Sequence, residues 1–259
     1  YGVQTQRAVE NFPISCMTIS KSMISALGII KRSAAIVNNK LGVLDNNRKK
    51  AIVQAADEII KGKFDDQFLI DIYQTGSGTS SNMNCNEIIA NRASELMGGQ
   101  IGTREPVHPN NHVNMGQSSN DVIPTAIHVS ALEEIDKSLI PALNQLQVAL
   151  QNKSQEFDDV IKIGRTHLQD AVPVRLGQEF SAYVTMIEHG IRRVESAHTS
   201  LAELAIGGTA VGTGLNCHPE VPAKVVAKLS HWTGVSFQEA TNKFEALASK
   251  DAAVEASGM

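Results

Sequence analysis

Leu132, Ile135, Leu139, Leu143, Leu146 and Leu150 follow one another at spacings of 3, 4, 4, 3 and 4. An α-helix turns once in 3.6 residues, so these side chains share one face, whereas a strand would scatter them over two. The stripe predicts a helix from near Asn120 to about Ser154, with Pro124 in its first turn and Pro141 kinking it. A second stripe, Val184, Ile187, Ile191, Val194, Leu201 and Leu204, predicts another long helix. His198 falls on it where an apolar residue is due and reads as a hydrogen-bonded core residue. Two such seams predict a bundle with extended helix-on-helix packing, expected to continue between subunits.

Shorter stripes fill in the rest. Met23, Leu27, Ile30, Val37 and Leu41 mark an early helix, and Ile52, Ala56 and Ile59 a second that ends near Gly62. A third runs from about Ser80 to Met97 and stops at Gly98-Gly99, before a polar loop with Pro106 and Pro109. Val225, Leu229 and Trp232 mark a later helix, and Ala246 to Ala256 the start of one more. Strand signals are few, "VIKIG" (160–164) being the best. The expected fold class is mainly α: a helical domain over residues 1–117, then a long-helix bundle over 118–259.

The apolar share is 42% but the aromatic share only 4%, so Ala, Leu, Ile and Val must fill a helical core. A net charge of −4 with scattered basic residues argues against nucleic acid as a partner. No run of 18 apolar residues exists, so no membrane span is expected. Cys16, Cys85 and Cys217 fit no zinc spacing and read as reduced thiols in a cytosol-like compartment, so a cytoplasmic setting is expected. The chain opens on "YGVQTQRAVENF" without Met and stops at "DAAVEASGM" inside a helical pattern, so both ends read as interior.

The candidate chemistry lies in three neutral polar clusters. "TGSGTSSNMNCNE" (75–87) places Gly76 and Gly78 among the hydroxyls of Ser77, Thr79, Ser80 and Ser81, ahead of the third helix. Free backbone N–H groups at a helix start attract anions, while a simple cap needs only one hydroxyl. The sequence lacks the Gly-Lys-Ser/Thr ending of a nucleotide P-loop. "GQSSNDVIPTA" (116–126) repeats the arrangement with Ser118, Ser119 and Asn120, as a cap or as a ligand site. The third cluster is Thr166 and His167, in a loop between the strand-like segment and the next helix. His167 could be an acid or base, a metal ligand or a satisfied core residue. Metal binding is disfavoured because no second His or Cys lies at ligand spacing. Together the clusters suit a small carboxylate held by hydroxyl, amide and backbone donors, with His167 the one group that titrates usefully.

Reach adds a constraint. A helix from Asn120 to Ser154 is roughly 50 Å long at 1.5 Å per residue. The dozen residues back to His167 span about 40 Å at most. If Asn120 and His167 serve one site, they are expected to come from different subunits.

The quoted clusters, with "GSGTSSNMNCNEIIANRASELMGG", "VHPNNHVNMGQSSNDVIPTAIHV", "IGRTHLQDAVPVRLGQEFSAY" and "LAIGGTAVGTGLNCHPE" in this order, resemble the fumarase/aspartase superfamily, specifically its class II (iron-independent) fumarases. The resemblance covers essentially the whole chain. It implies a lyase of the tricarboxylic acid cycle: reversible hydration of fumarate to (S)-malate by acid–base chemistry through an aci-carboxylate, with no metal or organic cofactor. It also implies a homotetramer built on a long-helix bundle, with active sites shared between subunits. By position, Ser77, Gly78, Thr79, Ser118, Ser119, Asn120 and Thr166 match substrate-binding residues, and His167 matches the proton-transferring histidine. His108, Pro109, Asn110 and Asn111 match the loop of a secondary dicarboxylate site.

Departures from the family pattern are informative. Asn111 stands where the family usually has Asp, and Glu105, beside Arg104, where members can have Arg. The family's "GSSxMPxKxNP" loop with its catalytic Ser is expected after Met259, as is the carboxylate that pairs with His167. Aspartate ammonia-lyase shares the fold and the intermediate type, but commonly has Gln at the His167 position, and "NKFEAL" (242–247) also reads as fumarase. A non-catalytic helical scaffold is the alternative from another class, and it has no need for three solvating clusters at helix starts.

Overall fold

The computed structural model describes residues 1–259, and 62% of the chain is helical. The helices are α1 (Val3–Asn11), α2 (Lys21–Lys40), α3 (Asn46–Ile60), α4 (Thr79–Leu96), α5 (Ser119–Glu134) and α6 (Ile140–Glu156). They continue with α7 (Leu176–Leu201), α8 (Val221–Thr233), α9 (Lys243–Ala248) and α10 (Asp251–Gly258). The strands β1 (Ile161–Thr166) and β2 (Gln169–Arg175) pair antiparallel, and the two-residue strands β3 (Glu203–Leu204) and β4 (Gln238–Glu239) pair parallel.

Packing divides the chain into two compact units, residues 1–132 with 200–253, and residues 133–199 with 254–259. This grouping differs from a boundary at 117/118, because α8 packs on α2 and brings the late segment back to the first helices.

In the first unit, Ser20 caps α2 by accepting from the Met23 N–H, and Asp45 caps α3 by accepting from Asn47 and Arg48. Leu27 and Ile30 of α2, Ile52 and Ala56 of α3, and Ile89 of α4 are fully buried. Each large side chain so buried contributes roughly 1.5–3 kcal/mol. A Cβ at Gly28 would lie 2.9 Å from Ile60, so glycine permits the close approach of α2 and α3. Arg32 pairs with Asp57 at 2.6 Å and stacks 4.1 Å over the Trp232 ring, tying α2 to α3 and α8. Trp232 is thus not a core residue of its stripe; it remains 40% exposed.

In the second unit, the stripe that predicts the long helix meets a π-helical turn, Ile135–Leu139, where a kink at Pro141 is expected. Proline offers no N–H to the preceding turn, and the wider turn absorbs that loss. Pro124 is likewise inside α5 rather than in its first turn, so the Asn120 carbonyl has no N–H four residues on. None of the residues of α6 is buried, although Leu143, Leu146 and Leu150 line up on it. On α7, Val184, Ile191, Val194 and Ala197 are buried, but Leu204 falls beyond the helix in β3. His198 is half-buried, with Nε2 3.3 Å from the Asp136 carboxylate, so it is a paired side chain and not a core residue.

The helix expected over 246–256 is broken in two. Asn242 caps α9, and the extended backbone of Ser249 ends it. Ser249 then accepts from the Asp251 N–H at the start of α10.

Candidate active site

The first cluster forms the entry to α4. Gly78 is its N-terminal residue, left-handed at φ +67, and no side chain caps the helix there. A Cβ on Gly78 would come within 2.9 Å of Ile123. The Gln74 side chain takes over the capping: its Oε1 accepts from the Ser81 N–H at 2.9 Å, while its Nε2 donates to Ser81 Oγ at 2.6 Å. Ser77 and Thr79, whose hydroxyls are 3.0 Å apart, are therefore not consumed by the helix end.

The second cluster divides its labour. Ser118 Oγ accepts from the Asn120 N–H, and Asp121 accepts from the Ser118 N–H at 2.9 Å, a conventional cap. The other oxygen of Asp121 accepts from the Gly207 and Thr209 N–H groups at 3.0 and 2.9 Å. Asp121 is fully buried, and burial raises its pKa against these three hydrogen bonds. It clamps the 207–210 loop to the start of α5, where Asn120 Nδ2 donates to the Ala210 carbonyl at 2.7 Å. Ser119 Oγ accepts from Asn82 Nδ2 at 2.9 Å, which leaves its own O–H free to donate elsewhere.

Ser77 and Asn120 line one cavity of about 550 Å³, together with Ile123, Ala210, Phe244 and Lys250. No acidic side chain lines it. Ser118 lines a second cavity of about 280 Å³ with Gln117, Thr209 and Thr213, and Ala210 and Val211 belong to both. Lys250 is a cation that the sequence reading passes over, since one lysine in "ASKDAA" carries no spacing signal. The acid three residues after Ser118 is a recognisable cap, but its hold on Gly207 and Thr209 could not be read locally.

Thr166 and His167 belong to the second unit. They lie not in a plain loop but at the tip of the β1–β2 hairpin, whose second strand is absent from the sequence reading. Thr166 pairs with Gln169, and the intervening His167 and Leu168 have φ +48 and +61. Both central residues are left-handed, as in a type I′ turn, which normally selects Gly or Asn. Leu168 is 98% exposed, and the His167 side chain is exposed beside it. Holding two such residues left-handed stores strain, a feature that clusters at functional turns.

His108 precedes a π-helical turn over Pro109–Val113 and caps it, Nδ1 accepting from the Asn110 and Asn111 N–H groups. Nδ1 is thereby occupied, and Nε2 is the ring atom left to meet a ligand. Asn110 and Asn111 are exposed, and Pro109 lines a cavity of about 360 Å³ with Glu87, Asn91 and Arg104. The neighbouring His112 has its pKa lowered, by burial first and by Arg48 second. No three His, Cys, Asp or Glu side chains converge as metal ligands would. Cys16, Cys85 and Cys217 are unpaired.

The family described as "Lyase" matches the chain over residues 1–259. The chain belongs to this lyase family. It is 58% identical over 252 residues to the class II fumarate hydratase of Halobacterium salinarum, covering 97% of this chain and 53% of that one. It is 55% identical over 260 residues to the mitochondrial fumarate hydratase of Saccharomyces cerevisiae, covering 100% and 53%. The crystal structure of the recombinant class II fumarase from Schistosoma mansoni superposes with a TM-score of 0.96 at 42% identity, covering 100% of this lyase chain and 57% of that one. The fold is thus the mainly-α fumarase fold. This lyase chain spans about half the length of the curated relatives it matches.

Proposed function

We propose that the protein to which this chain belongs catalyses the reversible hydration of fumarate to (S)-malate, as a homotetramer with active sites shared between subunits. The observation that carries the reading is the cavity walled by Ser77, Asn120 and Lys250 with no acidic lining residue. A dianion fits such a wall, because neutral donors and one cation solvate it without opposing charge. The similarity to class II fumarate hydratases in sequence and fold supports the same reading.

In the dehydration direction, a base removes a C3 proton from malate, and the developing aci-carboxylate gathers charge on its oxygens. Ser77, Gly78 and Thr79, Ser118, Ser119 and Asn120, and Thr166 are the proposed donors around that charge. An acid then assists departure of the C2 hydroxyl. His167 performs one of these proton transfers, directly or through a water. His108, Pro109, Asn110 and Asn111 form the proposed secondary dicarboxylate site, with His108 Nε2 as its donor.

Subunit sharing is supported by reach and by surface. The helical elements from Ser119 to Glu156 follow one another without a loop. In the second unit, Leu146, Val148, Ile161, Leu168, Val172 and Met186 are exposed, an apolar surface suited to a homo-oligomeric bundle. No helix is long and apolar enough to cross a membrane, and a cytoplasmic or mitochondrial-matrix setting belongs to this proposal. The test is hydration of fumarate by protein expressed from the complete gene, wild type against His167→Asn. Hydration that depends on His167 supports the reading, and its absence in the wild type overturns it.

A further inference from the structure

Lys31 of α2 is fully buried, yet its ammonium donates to two neutral acceptors, Asn114 Oδ1 at 2.8 Å and Gln117 Oε1 at 2.9 Å. Both lead to the second cluster. Gln117 lines the smaller cavity beside Ser118. Asn114 Oδ1 also accepts from Asn82 Nδ2 at 3.3 Å, and the same nitrogen donates to Ser119 Oγ. The titratable groups whose charge acts on Lys31 are Cys85 of α4 and Asp121 of α5. Cys85 is buried and its thiol is pushed up to about 12, so it is neutral at ordinary pH. That leaves one buried ammonium and one buried carboxylate beneath a cluster proposed to bind a carboxylate.

We propose that Lys31 is a positioning residue for anion binding, whose ammonium offsets the field of Asp121 beneath Ser118–Asn120 and, through Asn114 and Asn82, turns the Ser119 hydroxyl toward its ligand. This inference rests on the reading of that cluster as a carboxylate site. Asp121 is needed to clamp Gly207 and Thr209, but alone it would repel an incoming carboxylate through low-dielectric protein. Lys31 removes that repulsion without lining the site. Burial pulls the Lys31 ammonium down to about 8, so the offset is lost just above neutral pH.

The experiment measures the Kd for malate by calorimetry, and kcat and KM for fumarate, from about pH 7 to about pH 10, bracketing that titration. The protein is expressed from the complete gene as wild type, Lys31→Met and the Lys31→Met/Asp121→Asn double variant. Wild-type Kd is expected to be flat well below pH 8, to rise through the Lys31 titration by about tenfold in all, and then to level off. Lys31→Met should bind roughly tenfold more weakly at pH 7, the scale of one unit charge across several ångströms of protein, with the alkaline rise gone. KM should change far more than kcat, and the double variant should recover part of the affinity.

A flat wild-type profile, or a Lys31→Met protein that binds like wild type, overturns the proposal. The wild-type profile decides the matter if the variant does not fold. Malate binding with this pH pattern but no turnover of fumarate would sink the fumarase reading and keep the role of Lys31. Turnover with a flat Kd profile would do the reverse, and no binding at all would overturn both.

Discussion

Asn120 donates its side-chain amide to the carbonyl of Ala210 at 2.7 Å, and the next residue, Asp121, holds that loop by the N–H groups of Gly207 and Thr209. The start of α5 and a loop far along the chain are thereby one rigid wall. The Asp121→Asn variant keeps the shape but has one acceptor oxygen where the carboxylate has two. Either the Ser118 N–H or the Gly207 and Thr209 pair then loses its acceptor in a buried place. The expected cost is about 1–3 kcal/mol of stability, read from urea denaturation. A variant as stable as wild type would show that the clamp is not needed.

Gly78→Ala tests the turn ahead of α4. The residue is left-handed at φ +67, and the new methyl meets Ile123 at 2.9 Å. Backbone strain alone costs about 1–2 kcal/mol, and the contact adds to it. Thermal unfolding should shift downward by several degrees, with Ser77 displaced and fumarate affinity reduced. An unchanged melting temperature would contradict the described turn.

His167→Asn should lower turnover at least about a hundredfold, the scale of a positioned acid or base. Because His167 is exposed in the hairpin tip, the melting temperature should scarcely move. Sharing of sites makes a second demand. His167→Asn and Asn120→Ala proteins, each nearly inactive, should regain activity when dissociated and reassembled together, since some mixed sites receive both intact residues. If no mixing ratio restores activity, sites are not shared between subunits.

Lys31 also predicts how stability varies with pH. Its pKa is about 8 folded and 10.5 unfolded, so between these values the unfolded chain binds more protons. The free energy of unfolding therefore rises with pH in that window, by up to about 1.4 kcal/mol per unit. Cys85 acts in the opposite sense, because its pKa rises from 9.0 to about 12 on folding, and stability falls above pH 9 as the unfolded thiol ionises first. Between pH 8 and 9 the Lys31 effect is the larger of the two, and the comparison with Lys31→Met removes the Cys85 contribution common to both. Wild type should gain stability there relative to Lys31→Met in urea denaturation, and parallel curves would contradict it.

Helices α2 and α3 were legible because their apolar residues recur at helical spacing. The β2 strand was not legible. Gln169–Arg175 has exposed apolar and polar residues alike, and its turn uses His167 and Leu168 where a hairpin normally announces itself with Gly or Asn. Trp232 matched its stripe but serves Arg32, and Ser249 split a helix that periodicity alone would continue. The site followed the same division. Ser77 and Asn120 were visible as dense neutral clusters. Lys31, Asn82 and Lys250 were not, because they meet the clusters only in the folded chain, Lys31 through Asn114 and Gln117, Asn82 at Ser119 and Lys250 in the cavity of Ser77 and Asn120.

Partition between malate and aspartate tests the proposed chemistry most directly. With protein from the complete gene, fumarate production from malate and from aspartate is measured side by side at one pH and salt concentration. Rapid production from malate, none from aspartate, and loss of the malate reaction in His167→Asn is the expected result. Production from aspartate in preference to malate, or from neither, would contradict a fumarate hydratase built on His167.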